Sequence, residues 1–273
     1  YTLAGGMNTA NALGYLLGAL ATPLLLRRVA PGRVLLVGAV LASVFMGLSG
    51  FFTAAPWLLL QRLLAGVASA LVFIAGGLLA ARLGAHAPGR SGLLLGLYYG
   101  GTGWGISLSA LLVPGVLAAA GPVPHPWAWA WWALALACVA ATAVLWWPAQ
   151  ALQVLAPPPA SPTAFNITPP PAKVRWRALA PALLGYGLFG VGYIGYMTFV
   201  VALLREQGAS GTAVTVFYAL LGVAVLASSR IWAGLLDRCK GGQALALLCA
   251  LLGVATVLPA LTAAWPVVLL SGL

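Results

Sequence analysis

Residues 5–33 read GGMNTANALGYLLGALATPLLLRRVAPGR, in which an apolar stretch, 5–26, comes directly before Arg27, Arg28 and Arg33. About 20 apolar residues form a helix long enough to cross the hydrocarbon core of a bilayer. Basic residues accumulate in the loops that remain on the cytoplasmic side of a membrane. The stretch therefore predicts a transmembrane helix that runs from the outside to the cytoplasm.

The same alternation of apolar stretches and basic gaps continues along the whole chain. Ten of the 13 lysines and arginines lie in every second gap, namely Arg27, Arg28, Arg33, Arg82, Arg90, Lys173, Arg175, Arg177, Arg238 and Lys240. Seven further stretches are long enough to cross, at about 34–54, 57–81, 91–118, 127–148, 178–204, 211–236 and 243–262, and another apolar run begins near Trp265. These runs are continuous rather than alternating, which disfavours a barrel of strands. The sequence predicts an all-α polytopic membrane protein with cytoplasmic basic loops.

The composition excludes several other classes of protein. Hydrophobic residues make up 63% and charged residues 5%, whereas about a quarter of a soluble domain is charged. The net charge of +11 lies in short connectors, so it indicates membrane orientation and lipid contact rather than binding of nucleic acid. The three cysteines have no paired spacing, and His86 and His125 lie in loops on opposite sides. We therefore expect no metal, no cofactor and no catalytic site.

The longest connector divides the chain into two parts. It contains Pro157–Pro159 and Pro169–Pro171 in a background of Pro, Ala, Ser and Thr, which favours an extended linker. We expect one helical bundle over residues 1–148, a cytoplasmic linker over 149–177 and part of a second bundle over 178–273.

Small and aromatic residues indicate how the helices pack. Glycines recur along the fourth and sixth stretches, at Gly92, Gly96, Gly100, Gly101, Gly103 and Gly105 and at Gly185, Gly187, Gly190, Gly192 and Gly195. Such rows let helix backbones approach closely in lipid. The fifth stretch carries tryptophans at both ends, Trp129, Trp131, Trp132, Trp146 and Trp147, which is typical of a lipid-facing aromatic belt.

Two arginines stand inside apolar stretches. Arg62 lies about five residues inside the third stretch and Arg230 lies in the seventh, on the same helix face as Asp237. A charge within the membrane is costly, so both arginines are candidates for a functional site. The alternative for Arg62 is that its side chain extends to the headgroups. For Asp237 the alternatives are a latch between helix ends and a solvated turn charge.

Short motifs around these charges resemble those of the major facilitator superfamily. Asp237 and Arg238 match the Asp-Arg of the superfamily's loop motif, and Arg62 and Gly66 match its Arg-x-x-x-Gly motif in helix four. The corresponding first-half loop, 18–23, lacks the Asp. Residues 11–20 and 62–73 look like those of the bacterial YbfB/YjiJ-like branch. This resemblance implies that the chain is an internal piece of a longer protein and corresponds to helices two to nine of twelve.

The resemblance implies a secondary transporter of a small organic solute, which works by alternating access in the bacterial inner membrane. Helices two, four, five, seven and eight would line its cavity, so candidate cavity residues are Asn11, Arg62, Tyr186, Tyr193, Tyr196 and Arg230. Asp237 and Arg238 would form the gating motif. For the tyrosines, interhelical packing is the alternative.

Arg62 and Arg230, with no intramembrane acid in the stretches present, favour an anionic solute. Membrane lipids are the other expected partners, and protons remain open as a coupling ion. A non-transporting receptor or scaffold and a lipid-handling protein are the alternatives from other classes.

Overall fold

A computed structural model describes residues 2–87, 90–155, 176–232, 235, 239 and 242–272. The helices of these ranges are α1 (Thr2–Leu26), α2 (Pro31–Leu48), α3 (Ala55–Ala85), α4 (Ser91–Ala120), α5 (Trp127–Leu155), α6 (Trp176–Glu206), α7 (Gly211–Ile231), α8 (Gln243–Leu261) and α9 (Trp265–Gly272). Helices α1 to α8 are long and apolar enough to cross a membrane, and the described ranges contain no strand. The prediction of an all-α polytopic membrane protein with eight crossings is confirmed.

The helix boundaries depend on a few local signals. Pro31 occupies the first turn of α2, where its fixed φ fits the helix and its missing N–H costs nothing. Ser210 caps α7, because its Oγ accepts a hydrogen bond of 3.1 Å from the backbone N–H of Ala213. Because consecutive crossings run in opposite directions, the ends of the helices form two sides. We call the side with the loops of Arg27–Arg33 and Arg82–Arg90 the basic side, and the other the far side.

Helix α3 lies at the centre of the first five helices and packs against α1, α2 and α4. Its contact with α1 is close enough for the backbones to touch. A Cβ added to Gly14 would overlap the carbonyl oxygen of Leu63, and a Cβ added to Gly66 would overlap that of Asn11. Glycine at both positions therefore permits this packing.

Helices α2, α3 and α5 share an apolar core. Its buried members are Val34, Leu35, Leu36, Leu71, Ala75, Leu79 and Ala149. Ser43 of α2 and Thr142 of α5 also lie within hydrogen-bonding distance, with 3.4 Å between their hydroxyl oxygens. Helix α5 is thus held along α2 rather than separated from it by lipid.

A second core joins α6, α7 and α9. Val200, Leu204, Phe217, Leu221 and Val268 are buried there. Helix α8 packs against α6, where the Gln207 side chain donates a 2.7 Å hydrogen bond to the carbonyl of Pro259.

Helices α4 and α7 provide an extensive contact between the parts of the chain before and after the linker. A Cβ on Gly103 would overlap the carbonyl oxygen of Gly222, so the two backbones are in contact. The Ser107 hydroxyl donates a 3.0 Å hydrogen bond to the carbonyl of Ala219 beside this crossing. The close approach expected for glycines of the fourth stretch is present at Gly103. In contrast, nothing lies within 4 Å of a Cβ added to any of the five glycines of the sixth stretch.

Three helices end five or more residues away from the predicted position. Helix α2 ends at Leu48 rather than near 54, because the Ser49 hydroxyl bonds back to the Phe45 carbonyl at 2.8 Å and Gly50 turns against the Trp132 indole. Helix α5 passes Pro148 and continues to Leu155, into the predicted linker, because Ala149 is buried in the α2–α3–α5 core. Helix α7 ends at Ile231 rather than 236. The rest of the linker, 156–175, lies outside the described residues.

Candidate functional site

Arg62 lies near the far-side end of α3 and points between α2 and α5. Its Cζ is 4.6 Å from the centre of the Trp131 ring, a cation–π contact worth about 0.5–2 kcal/mol. Its Nη2 lies 4.0 Å from the sulfur of Met46, which is a weak acceptor. Its Nε–H is buried without a hydrogen-bond partner among the described residues. The guanidinium is therefore partly desolvated and only weakly paired.

Other polar atoms near this end of the helices are also unpaired. Gln61, 6% exposed, has a buried Oε1 without a partner in the described structure, and the same is true of the Trp132 indole N–H. Trp131 and Trp132 are half-buried, which corrects their predicted place in a lipid-facing belt, whereas Trp129, Trp146 and Trp147 are exposed as expected. Because α5 packs along α2, Trp131 contacts the arginine and Trp132 packs against Gly50 and Phe51.

Arg230 is placed elsewhere. It is exposed in the last turn of α7, two residues beyond the apolar span that ends at Ser228, on the basic side. Arg62 and Arg230 thus lie towards opposite sides of the helices and are not brought together. Asp237 and Arg238, the expected gating motif, lie outside the described residues.

The tyrosines predicted to line one face of α6 separate into two groups. Tyr186 and Tyr193 both stack on Phe189, with ring centres 5.8 and 5.9 Å apart, and are 66% and 41% exposed. Tyr196 instead belongs to the α6–α7–α9 core, and its hydroxyl lies 3.0 Å from that of Ser271. The rings of Tyr186 and Tyr193 are thus exposed, whereas Tyr196 packs between helices.

On α1, the predicted residue Asn11 is half-buried and its backbone carbonyl packs on Gly66. The residue that bridges to another helix is Asn8, whose Nδ2 donates a 3.3 Å hydrogen bond to the Thr198 hydroxyl of α6. Both partners lie in the far-side halves of their helices. This contact connects α1 with α6 across the linker.

A group of aromatic residues on α1, α3 and α4 was missed by the sequence reasoning. The Tyr15 ring lies 6.2 Å from Phe73, Phe73 lies 4.8 Å from Tyr99, and Tyr99 lies 5.1 Å from Tyr98. The Tyr98 hydroxyl is fixed by a 2.8 Å hydrogen bond to the carbonyl of Val72. The one available signal was the pair Tyr98-Tyr99 directly before two glycines.

The described cavities lie between helices. One of about 780 Å³ runs between α2 and α5 and is lined by Arg33 and Trp146 among others. Another of about 260 Å³ lies between α4, α6 and α7, where Ser109, Thr215 and Tyr218 line it. Within the described ranges no group of three His, Cys, Asp or Glu side chains could hold a metal ion. The polar groups that line the described cavities include hydroxyls, the Arg33 guanidinium, the Gln150 amide and, in a further groove along α6, the Glu206 carboxylate.

Comparison with known proteins gives one family. A family model described as "Uncharacterised MFS-type transporter YbfB" matches residues 1–273. No curated protein and no solved structure matches the chain significantly.

Proposed function

Because the chain belongs to the family of YbfB-type transporters of the major facilitator superfamily, we propose that it carries a small organic solute across a membrane by alternating access. In this mechanism two helical bundles, residues 1–148 and 178–273, rock about a central site and open it to one side at a time. We place the protein in the bacterial inner membrane with its basic loops in the cytoplasm, in line with the alternation of charge.

The observation that carries the proposal is the contact between α4 and α7. Two bundles that rock need a contact that persists while the rest separates. Gly103 and Gly222 bring the backbones together without interlocking side chains, and the Ser107 hydroxyl holds the crossing in register. Small residues at such a crossing allow helices to pivot and slide. The α4–α7 crossing is the proposed pivot.

The contact between Asn8 and Thr198 supports the proposal that the far side of the protein opens and closes. It consists of a single exposed hydrogen bond between α1 and α6. An exposed neutral hydrogen bond contributes about 0.5–1.5 kcal/mol, so thermal motion breaks it readily. We propose that it closes the far side in the described conformation and that Asp237 and Arg238 latch the basic side in the other.

A pair of cysteines tests this arrangement. Asn8→Cys with Thr198→Cys is introduced after the three native cysteines have been replaced by serine, and the protein is reconstituted in proteoliposomes. Uptake is measured for a panel of radiolabelled carboxylates, amines and neutral organic compounds. Oxidation should abolish uptake and reduction should restore it.

The control pair, Ser43→Cys with Thr142→Cys, lies at a similar distance within the first bundle, so its oxidation should leave uptake unchanged. Full uptake by the oxidised Asn8–Thr198 pair would refute alternating access at this contact. If no solute in the panel is taken up by the wild type, the receptor, scaffold and lipid-handling alternatives replace transport.

Arg62 supports a second, more specific proposal, that the solute is anionic. Its buried Nε–H lacks a partner in the described ranges, and of the two acids of the chain Glu206 is exposed at the end of α6 and Asp237 is not described. A guanidinium that is partly desolvated and only weakly paired attracts a carboxylate. Uptake of a confirmed anionic substrate should fall in Arg62→Ala. Unchanged uptake in both Arg62→Ala and Arg230→Ala would exclude the anionic proposal.

The proposal also covers whether transport is coupled to an ion and whether it includes a catalytic step. We propose transport without a catalytic step, and the dependence of uptake on an imposed pH gradient measures whether protons are coupled. Uptake that is equal with and without the gradient excludes coupling to protons.

A further inference from the structure

Two groups of packed aromatic rings belong to different parts of the chain. The first aromatic wall is Tyr15, Phe73 and Tyr99, from α1, α3 and α4. The second aromatic wall is Tyr186, Phe189 and Tyr193, along α6 after the linker. Within each wall the ring centres are 4.8–6.2 Å apart, which is the range of favourable aromatic pairs.

The first wall faces α6. Asn8 and Tyr15 are seven residues apart and so lie on the same face of α1. Because Asn8 reaches Thr198 of α6, Tyr15 is also directed towards α6, on the basic side of that contact. The Tyr15 hydroxyl lies in the neighbourhood of those of Tyr99 and Tyr186, one from each wall.

There is room for a ligand beside these rings. Phe73 and Tyr99 are each 37% exposed although their rings are in contact, and in the second wall Tyr186 is 66% and Tyr193 41% exposed, whereas Phe189, stacked between them, is only partly exposed. A Cβ added to Gly187 or Gly190, between the tyrosines of the second wall, would meet no atom within 4 Å. Glycine at these positions keeps the space beside the rings open.

The chemistry of the walls selects a solute. Aromatic faces edged by hydroxyl groups bind flat rings by stacking and bind their polar substituents by hydrogen bonds. A cation would also be attracted to such faces, but the described residues offer no acid beside them and the chain is strongly basic. The walls therefore fit a neutral or anionic ring better than an organic cation.

We propose that the transported solute carries a flat aromatic ring, which binds between the first and second aromatic walls. This inference rests on the proposed transport function and specifies its substrate class. Tyr15, Phe73 and Tyr99 form one side of the binding slot, and Tyr186, Phe189 and Tyr193 form the other.

Matched probes test the requirement for a ring. Benzoate and cyclohexanecarboxylate have the same charge and similar size, but only benzoate is flat and aromatic, and benzamide is its neutral counterpart. Binding of each to the full chain in detergent is measured by ligand-observed NMR titration. Benzoate or benzamide should bind at least several-fold more tightly than cyclohexanecarboxylate. Equal affinities, or no binding of either aromatic probe up to its solubility limit, would overturn the proposal.

Two phenylalanines of α6 provide matched variants. Phe189→Leu removes a ring of the second wall and should weaken binding roughly 2- to 10-fold, the equivalent of one aromatic pair. Phe189 also borders the groove between α6 and α8, and Phe199→Leu changes the same residue type at another part of that groove, outside the wall, so binding should stay as in the wild type. Equal effects of the two variants would count against the slot.

A variant that fills the space beside the second wall provides a test if Phe189→Leu misfolds. Gly190→Leu adds a side chain where the space is open, so the protein should elute and unfold as the wild type does while binding is lost. Unchanged binding in Gly190→Leu would refute the slot. Uptake measured in proteoliposomes separates the two proposals. If a non-aromatic solute is transported and no aromatic probe binds, only the proposed slot is refuted. If an aromatic probe binds and no solute is transported, only the proposed transport function is refuted.

Discussion

Replacing Gly103 with alanine tests the α4–α7 crossing on which the proposed pivot depends. The added Cβ would overlap the Gly222 carbonyl oxygen and lie 2.9 Å from the Leu226 amide nitrogen, so the two helices must move apart. Overpacking of this kind costs about 1–3 kcal/mol. Alanine also favours the helix over glycine by up to about 1 kcal/mol, which offsets part of that cost. The net loss for Gly103→Ala is therefore expected to be up to about 2 kcal/mol.

The helix contains its own controls for this experiment. Gly101→Ala and Gly105→Ala make the same chemical change on α4, but nothing lies within 4 Å of either new Cβ. Both should gain the helix preference without overpacking. Thermal unfolding of the purified proteins in detergent should give a midpoint for Gly103→Ala several degrees below those of the two controls. Equal midpoints for all three variants would show that α4 and α7 are not in backbone contact.

Two further predictions concern side chains that the sequence reasoning assigned to the cavity. Tyr196→Phe, which loses the hydrogen bond to Ser271, should lower the unfolding midpoint by the equivalent of about 0.6 kcal/mol, the average measured for side-chain hydrogen bonds in membranes. Tyr186→Phe should leave it unchanged, and a larger loss there would contradict the assignment of roles. Arg62→Met should leave the midpoint unchanged or raise it, because the loss of the Trp131 contact is offset by removal of an unpaired buried N–H. A clear fall in the Arg62→Met midpoint would make Arg62 structural rather than functional.

The crossings could be predicted because each depends on length and hydropathy alone. All eight predicted stretches have a matching helix that is long and apolar enough to span, including the fourth and fifth, which contain proline. Helix ends were less predictable, since they depend on tertiary contacts. In the sequence, Pro148 predicts the end of its helix. The helix continues beyond it because Ala149 is buried against α2 and α3.

The site was less accessible to sequence reasoning than the fold. The periodicity of α6 places Tyr186, Tyr193 and Tyr196 on one face, but it could not show that Ser271 of α9 packs against Tyr196. Phe73 was counted simply as part of an apolar stretch, because nothing in a single sequence shows which helix meets Tyr15. Pairings between distant helices decide which aromatic residues pack and which remain accessible.

The contact between Gly103 and Gly222 also constrains how this protein can change during evolution. A larger residue at either position is blocked by the backbone at the other, so neither half can vary there independently. A chimera that joins the first half of this chain to the second half of a relative should therefore assemble only when the relative has a comparably small residue in place of Gly222. The linker connects the two halves covalently, but this pair of glycines limits which halves are compatible.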